Sequence, residues 1–247
     1  MTGQLGTLLR ESAQSLFARI LAAECERYLE GFSKMQDEFG RDAVVRNGYQ
    51  PVRQIETGIG PIAVRVPKVR SRTGEVAIFR SAIVPRYLRR TRPATRESVW
   101  RYLYGVWTGD LNQVLVALLG LRAAHLAGAV PESARAGWMD DCREWRIARA
   151  DDVVEVWAET IAPDASVGVG TILVVIGADA SGRLILLSID HGRGDAQRRW
   201  ASIAIDLAGR GLQQPERIHA GGWAVAFSQA LRIHAPGQTP ELTVAGA

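Results

Sequence analysis

Apolar residues recur at helical spacing through the first thirty positions: Leu5, Leu8, Leu9, Leu16, Phe17, Ile20, Leu21, Tyr28 and Leu29, with Gly31 closing the pattern. Arg10, Glu11, Arg19, Glu26 and Arg27 take the other side, so the segment reads as a helix that packs on its own domain in preference to a partner helix. The period then shortens. Residues 52–57 and 62–66 are β-prone runs joined by Gly58-Ile59-Gly60-Pro61, the pattern of a hairpin with Arg53 and Arg65 projecting from its arms. Helical spacing returns after Pro93 through Val99, Trp100, Leu103 and Val106, and breaks at Thr108-Gly109. Leu111, Val114, Leu115, Leu118 and Leu119 form another amphipathic stretch that stops at Gly120, a natural helix end. A further helix is predicted over 131–150 with Pro131 in its first turn, and Trp138 and Trp145 read as its core anchors.

From Val153 the pattern turns to strands. Residues 153–158, 171–178 and 183–189 are three β-rich runs, the last two separated by the turn Asp179-Ala180-Ser181-Gly182. A helix over 195–212, a strand over 217–219, a helix over 223–233 and a strand over 242–244 follow. Three strands, helix, strand, helix, strand is the order of a ribonuclease H-like core. The fold class is therefore α/β, of the α+β kind. It divides into a helical and β-hairpin region over 1–150 and an incomplete ribonuclease H-like domain over 151–247.

A chain of 247 residues with 47% hydrophobic content can bury a core as one large domain or two small ones. No run of eighteen apolar residues predicts a membrane span, and no charged segment followed by an apolar stretch predicts secretion. Cys25 and Cys142 stand alone and read as buried thiols in a reducing compartment. His125, His191, His219 and His234 show no metal-ligand spacing. The expected location is the cytoplasm.

Charge changes the picture. Between Arg41 and Arg101 fourteen Arg or Lys stand against Asp42, Glu56, Glu75 and Glu97, a local net of +10 in a chain whose total is +4. The cations come in bursts punctuated by aromatic, Gly and Pro residues, the electrostatic footprint of a polyanion binder. Arginine-rich surface from a GC-rich genome would be scattered evenly; here it is clustered. The candidates for contact with DNA or RNA are Arg46, Asn47, Arg53, Arg65, Lys68, Arg70, Arg72, Arg80, Arg86, Arg89 and Arg90. Arg46 and Asn47 precede Gly48-Tyr49 and form either a DNA-contacting turn or one that Asn47 merely caps.

The same bursts carry a resemblance. Val45-Arg46-Asn47-Gly48-Tyr49, Thr57-Gly58-Ile59-Gly60-Pro61, Pro67-Lys68-Val69-Arg70, Phe79-Arg80-Ser81 with Pro85-Arg86-Tyr87-Leu88-Arg89-Arg90, and Tyr102-Leu103-Tyr104-Gly105-Val106-Trp107-Thr108-Gly109-Asp110 follow one another in the order and spacing of a known family. The chain resembles the Mutator-type family of bacterial insertion-sequence transposases from about Leu8 to about Leu231, and the family extends past this C-terminus. The resemblance implies DNA as partner, a ribonuclease H-like catalytic domain, and a helix-turn-helix-like unit led by the helix at Leu111. Segment 126–134 lacks the Ser, Thr and Arg residues implied for that unit, so base reading is not expected of it.

The resemblance also implies two Mg²⁺ ions held by three carboxylates, one activating the attacking oxygen and one the leaving oxygen. The first position is occupied by Glu159 in Trp157-Ala158-Glu159, one methylene longer than the aspartate implied. The second falls on Gly221, which has no side chain, and the third lies beyond Ala247. Asp179, Asp190 and Asp195 lie in turns after strands and read as structural. No bound metal is expected in this chain. Three readings stand: a truncated, catalytically inactive DNA-binding member of the family, a remnant or regulator; an active nuclease with a rewired carboxylate site; or an oligomerisation module that uses its N-terminal helix on full-length transposase.

Overall fold

The computed structural model describes residues 3–74, 77–91, 94–162, 170–235 and 237–245, with Trp223, Val244 and Ala245 as backbone alone. Helix α1 (Gly3–Glu30) opens the chain and is about 42 Å long at 1.5 Å per residue. Leu5, Leu9, Ala13, Leu16, Phe17, Ile20 and Leu21 form its buried face. That face is packed inside its own chain.

Four short strands follow: β1 (Val44–Tyr49), β2 (Arg53–Thr57), β3 (Gly60–Val64) and β4 (Pro67–Ser71). The expected hairpin is β2–β3, with Arg53 opposite Val64 and Thr57 opposite Gly60. Outside it, β1 and β4 form a second antiparallel ribbon that the sequence pattern does not announce. Arg46-Asn47-Gly48 reads as a turn, yet it lies within a strand. Arg46 pairs with Val69 and Tyr49 with Pro67, so Asn47 and Gly48 together face Lys68 as a β-bulge, with Gly48 at φ 72°.

Helices α2 (Arg96–Thr108) and α3 (Leu111–Leu119) are capped by side chains at their starts: Thr95 accepts from the Ser98 amide and Asp110 from the Asn112 amide. Pro93, where the second helical stretch was expected to begin, lies outside the described residues. Two single 3₁₀ turns (Leu121–Ala123 and Leu126–Ala129) follow, and α4 (Glu132–Ile147) then starts directly after Pro131, as its sequence predicts. The β2–β3 tip lies against α2 and α3. The Gly58 amide donates to the Leu118 carbonyl at 3.4 Å, and a Cβ at Gly58 would sit 2.2 Å from the Ala117 carbonyl oxygen and 2.6 Å from Ser98 Oγ.

The second half contains β5 (Val153–Ile161), β6 (Thr171–Asp179), β7 (Leu184–Gly192), α5 (Ala196–Gly209), β8 (Arg217–Gly221), α6 (Val225–His234) and β9 (Glu241–Ala245). They make one five-stranded sheet in the order β7-β6-β5-β8-β9. The first three strands are antiparallel; β8 and β9 run parallel to β5. Both faces are covered, which is why β6 reads as a nearly unbroken apolar run. Val156, Ala158, Leu173, Val175 and Ile218 pack with Trp200, Leu207, Phe227 and Leu231 of α5 and α6. The alternate residues Trp157, Ile161, Ile172, Val174, Ile176 and Ile189 join one core with α1, α2 and the β2–β3 hairpin.

The division expected at residue 150 falls between α4 and β5, but this core crosses it. At the joint the His191 ring sits 5.8 Å from Trp100, 5.0 Å from Tyr104 and 5.3 Å from Trp107, and Trp100 Nε1 donates to the Gly170 carbonyl at 3.1 Å. The chain thus mixes helix and strand as expected. Among the described residues no helix is long and apolar enough to cross a membrane.

The Gly58 contact is testable. Gly58→Ala forces the hairpin off α3 and is expected to cost about 1–3 kcal/mol, as overpacking does. Gly128→Ala, with open space around its Cβ and no left-handed backbone, is the control. The urea midpoint is expected to fall further for the first.

Candidate nucleic-acid interface

Each strand and loop of residues 41–91 places its cations outward because its alternate residues are held inward. In β4, Val69 is buried and Lys68 and Arg70 on either side of it are exposed. In the loop that follows, Phe79, Ile83 and Val84 are buried while Arg80 is exposed. That loop is fixed to α1 by a buried carboxylate. Glu24, 5% exposed, accepts from the Ser81 hydroxyl and from the Ala82 amide at 3.0 Å, and Ser81 Oγ accepts in turn from the Val84 amide at 2.9 Å. Farther on, the Glu56 amide donates to the Arg89 carbonyl and the Thr91 amide to the Glu56 carbonyl, each at 2.9 Å. Arg89 and Arg90 therefore run alongside β2.

Arg46, Asn47, Arg65, Lys68, Arg70, Arg72, Arg80, Arg86, Arg89 and Arg90 are all exposed. The Arg46 and Arg65 guanidiniums each lie 4.7 Å from the centroid of the Tyr49 ring, and Arg46 also donates to its hydroxyl. Asn47 makes no hydrogen bond through its side chain among the described residues, so it is not the cap of its own turn.

Arg53 behaves differently. Its guanidinium donates to the carbonyls of Val84 at 3.1 Å, Pro85 at 2.9 Å and Arg86, tying the loop to β2. Burial and the neighbouring Arg89 charge pull it below the usual guanidinium range. It positions the interface from beneath.

None of these cations has a carboxylate partner among the described residues. Many other arginines are paired: Arg19 with Asp141, Arg41 with Asp37, Arg143 with Asp140, Arg149 with Asp151, Arg183 with Asp179, Arg199 with Asp190, Arg210 with Asp206 and Arg217 with Glu155. The nine exposed cations between Arg46 and Arg90 thus have no neutralising carboxylate among the described residues, whereas Arg41 at the edge of the region pairs with Asp37.

The two carboxylate positions come together at one end of the sheet. In the parallel β5–β8 pair Ala158 lies opposite Ala220, so Glu159 and Gly221 are neighbours one step on, at a strand spacing of about 4.8 Å. The Trp157 and His219 rings, two residues earlier, stack at 5.1 Å with 6° between planes, which puts Glu159 and Gly221 on that same face. Farther down it, Glu155 accepts from Arg217 at 3.0 and 3.1 Å and meets His219 Nε2 at 2.6 Å. The Arg217 bonds above all hold the Glu155 carboxyl below its usual range.

Asp190 and Asp179 are engaged in structure. Arg199 binds Asp190 at 2.6 Å together with the Thr171, Asp190 and Gly192 carbonyls. Asp179 closes the β6–β7 turn through Ser181 and Arg183, which holds its carboxyl down to about 2. Asp195 caps α5. Among the described residues no group of three His, Cys, Asp or Glu could hold a metal ion. A two-metal centre needs clustered carboxylates, and the donors at this sheet end do not fit one.

The profile of the Mutator family of transposases matches residues 3–224. The chain belongs to that family. It is 29% identical to the transposase for insertion sequence element IS6120 of Mycolicibacterium smegmatis over 135 residues, 53% of this chain and 41% of that protein. It is 25% identical to the transposase for insertion sequence element ISRM5 of Rhizobium meliloti (strain 1021) over 226 residues, 86% of this chain and 53% of that protein. The chain thus spans about half the length, or less, of these curated relatives. A chain of the simian T-cell lymphotropic virus intasome in complex with PP2A regulatory subunit B56 gamma overlaps 49% of this chain and 45% of its own length, at 17% identity and a TM-score of 0.23. That superposition is too loose to bear on the fold.

Arg53 separates positioning from contact within this family member. Arg53→Ala leaves backbone carbonyls without their charged donor, and the expected loss is about 1.5–3 kcal/mol of stability. Unfolding in urea reads this directly. Arg70→Ala on the exposed face of β4 is expected to leave the same midpoint within about 0.5 kcal/mol.

Proposed function

We propose that this protein binds DNA, at insertion-element ends or generally, through the exposed cations of residues 41–91, and that its sheet is a ribonuclease H-like domain without a working strand-transfer site. The observation that carries the first part is the cluster of nine exposed cations between Arg46 and Arg90 with no carboxylate partner among the described residues: a surface that leaves its own positive charge unneutralised is suited to receive an external polyanion. Membership of a transposase family makes DNA that polyanion. Support for the second part is the strand order, with three antiparallel strands followed by two parallel ones across α5 and α6. Gly221 supplies no side chain beside Glu159, so a two-metal mechanism has one carboxylate where it needs a pair.

Phosphate contacts release counterions, so affinity falls steeply with salt. With six or so contacts the dissociation constant is expected to rise about a thousandfold between 50 and 200 mM salt, read by a shift assay. Replacing Arg86, Arg89 and Arg90 together with Ala is expected to weaken binding uniformly across sequences and to flatten that slope. Unchanged affinity in this variant would remove the basic surface from the reading.

The sheet end gives a separate expectation. The unmodified protein is expected to leave supercoiled DNA uncut with Mg²⁺ or Mn²⁺, while its DNA affinity is the same with and without a chelator. Metal-dependent nicking that disappears in Glu159→Ala would overturn the incomplete-site reading.

A further inference from the structure

A recess of about 740 Å³ opens between β4 and the loop 77–87. Its lining includes Tyr49, Lys68, Ile78, Arg80, Arg86 and Tyr87, and none of its described lining residues is acidic. Tyr87 is 86% exposed and Ile78 55%, although both border an apolar floor formed by Val66, Val69, Phe79 and Val84. Tyr49 already carries two guanidiniums on its ring. Tyr87 has no ring, cation or hydrogen-bond partner among the described residues.

The walls, by contrast, are pinned: Glu24 fixes the loop at Ser81 and Ala82, and Arg53 fixes it at residues 84–86. A recess with rigid walls, an open aromatic lip and a cationic rim is pre-organised for a ligand that is flat and apolar on its face and anionic at its edge.

We infer that this recess receives an unpaired nucleotide of a DNA strand, its base against Tyr87 and Ile78 and its phosphates at Lys68, Arg80 and Arg86. The inference rests on the DNA-binding reading above and adds a substrate state to it. A paired duplex offers phosphates to the outer cations but keeps its base faces inside the stack, so it has nothing to place on Tyr87. An unpaired base exposes a π-face, and stacking on an aromatic side chain is tolerant of which base it is. The absence of acid among the described lining residues disfavours a cationic ligand.

The test compares two duplexes that differ only by one unpaired 2-aminopurine nucleotide. Binding is measured by anisotropy and base stacking by the fluorescence of the 2-aminopurine. The unpaired site is expected to bind roughly tenfold tighter than the paired duplex, with quenching of the probe. Tyr87→Ala combined with Ile78→Ser is expected to abolish the preference and the quenching while leaving affinity for the paired duplex within about twofold. Tyr87→Phe is expected to retain both. Both side chains are exposed, so these variants should fold, and circular dichroism verifies it. Equal affinity for the two duplexes, or a preference that survives the double variant, would overturn this inference alone. Failure to bind either duplex would remove the DNA reading and this one with it.

Discussion

The buried face of α1 is the surface on which the molecule is assembled. Leu5, Leu9, Leu16, Phe17, Ile20 and Leu21 share one apolar core with Ile55, Ile59, Ile62 and Val64 of the hairpin and with Ile172, Ile176 and Ile189 of the sheet. Each such side chain contributes about 1.5–3 kcal/mol by leaving water, and together they hold in place a region whose charges repel one another. The geometry of the basic surface relative to the sheet end is therefore set by apolar packing and by a few buried bonds, those of Glu24 and Arg53 among them.

That arrangement explains what the amino-acid pattern disclosed and what it withheld. Local periodicity located α1, the β2–β3 hairpin, the break at Gly109, the helix after Pro131 and the alternation of strands and helices after Val153, because each depends on near neighbours in sequence. The β1–β4 ribbon escaped because its pairing joins residues 18 to 27 positions apart, and because Asn47-Gly48 has the chemistry of a turn whether it ends a strand or bulges within one. Core crossing the boundary at residue 150 escaped for the same reason. Trp157 and Ile161 read as strand residues, with nothing local to say that α1 and α2 lie over them.

The candidate site was legible in kind more than in role. Clustered arginines announced an exposed basic surface, but their spacing could not tell Arg53, which grips three carbonyls, from Arg86, which faces solvent. Tyr87 and Ile78 carried no signal, since an exposed apolar side chain is unremarkable until the recess beside it is known. At the sheet end only strand register places Glu159 beside Gly221. The family resemblance named the two positions, and the parallel pairing of β5 with β8 made them neighbours.

The cations between Arg46 and Arg90, which meet no carboxylate among the described residues, have a consequence for the folded state itself. Their mutual repulsion is present in the native structure and weaker in an expanded chain, so the free protein holds its basic region against an opposing charge term. A polyanion that binds only the native arrangement relieves that term and draws the folding equilibrium toward the native state by mass action. In the proposed DNA-binding reading, thermal stability becomes a function of nucleic-acid concentration and of ionic strength. Such a protein is most robust where its ligand is plentiful and least so in dilute salt without it.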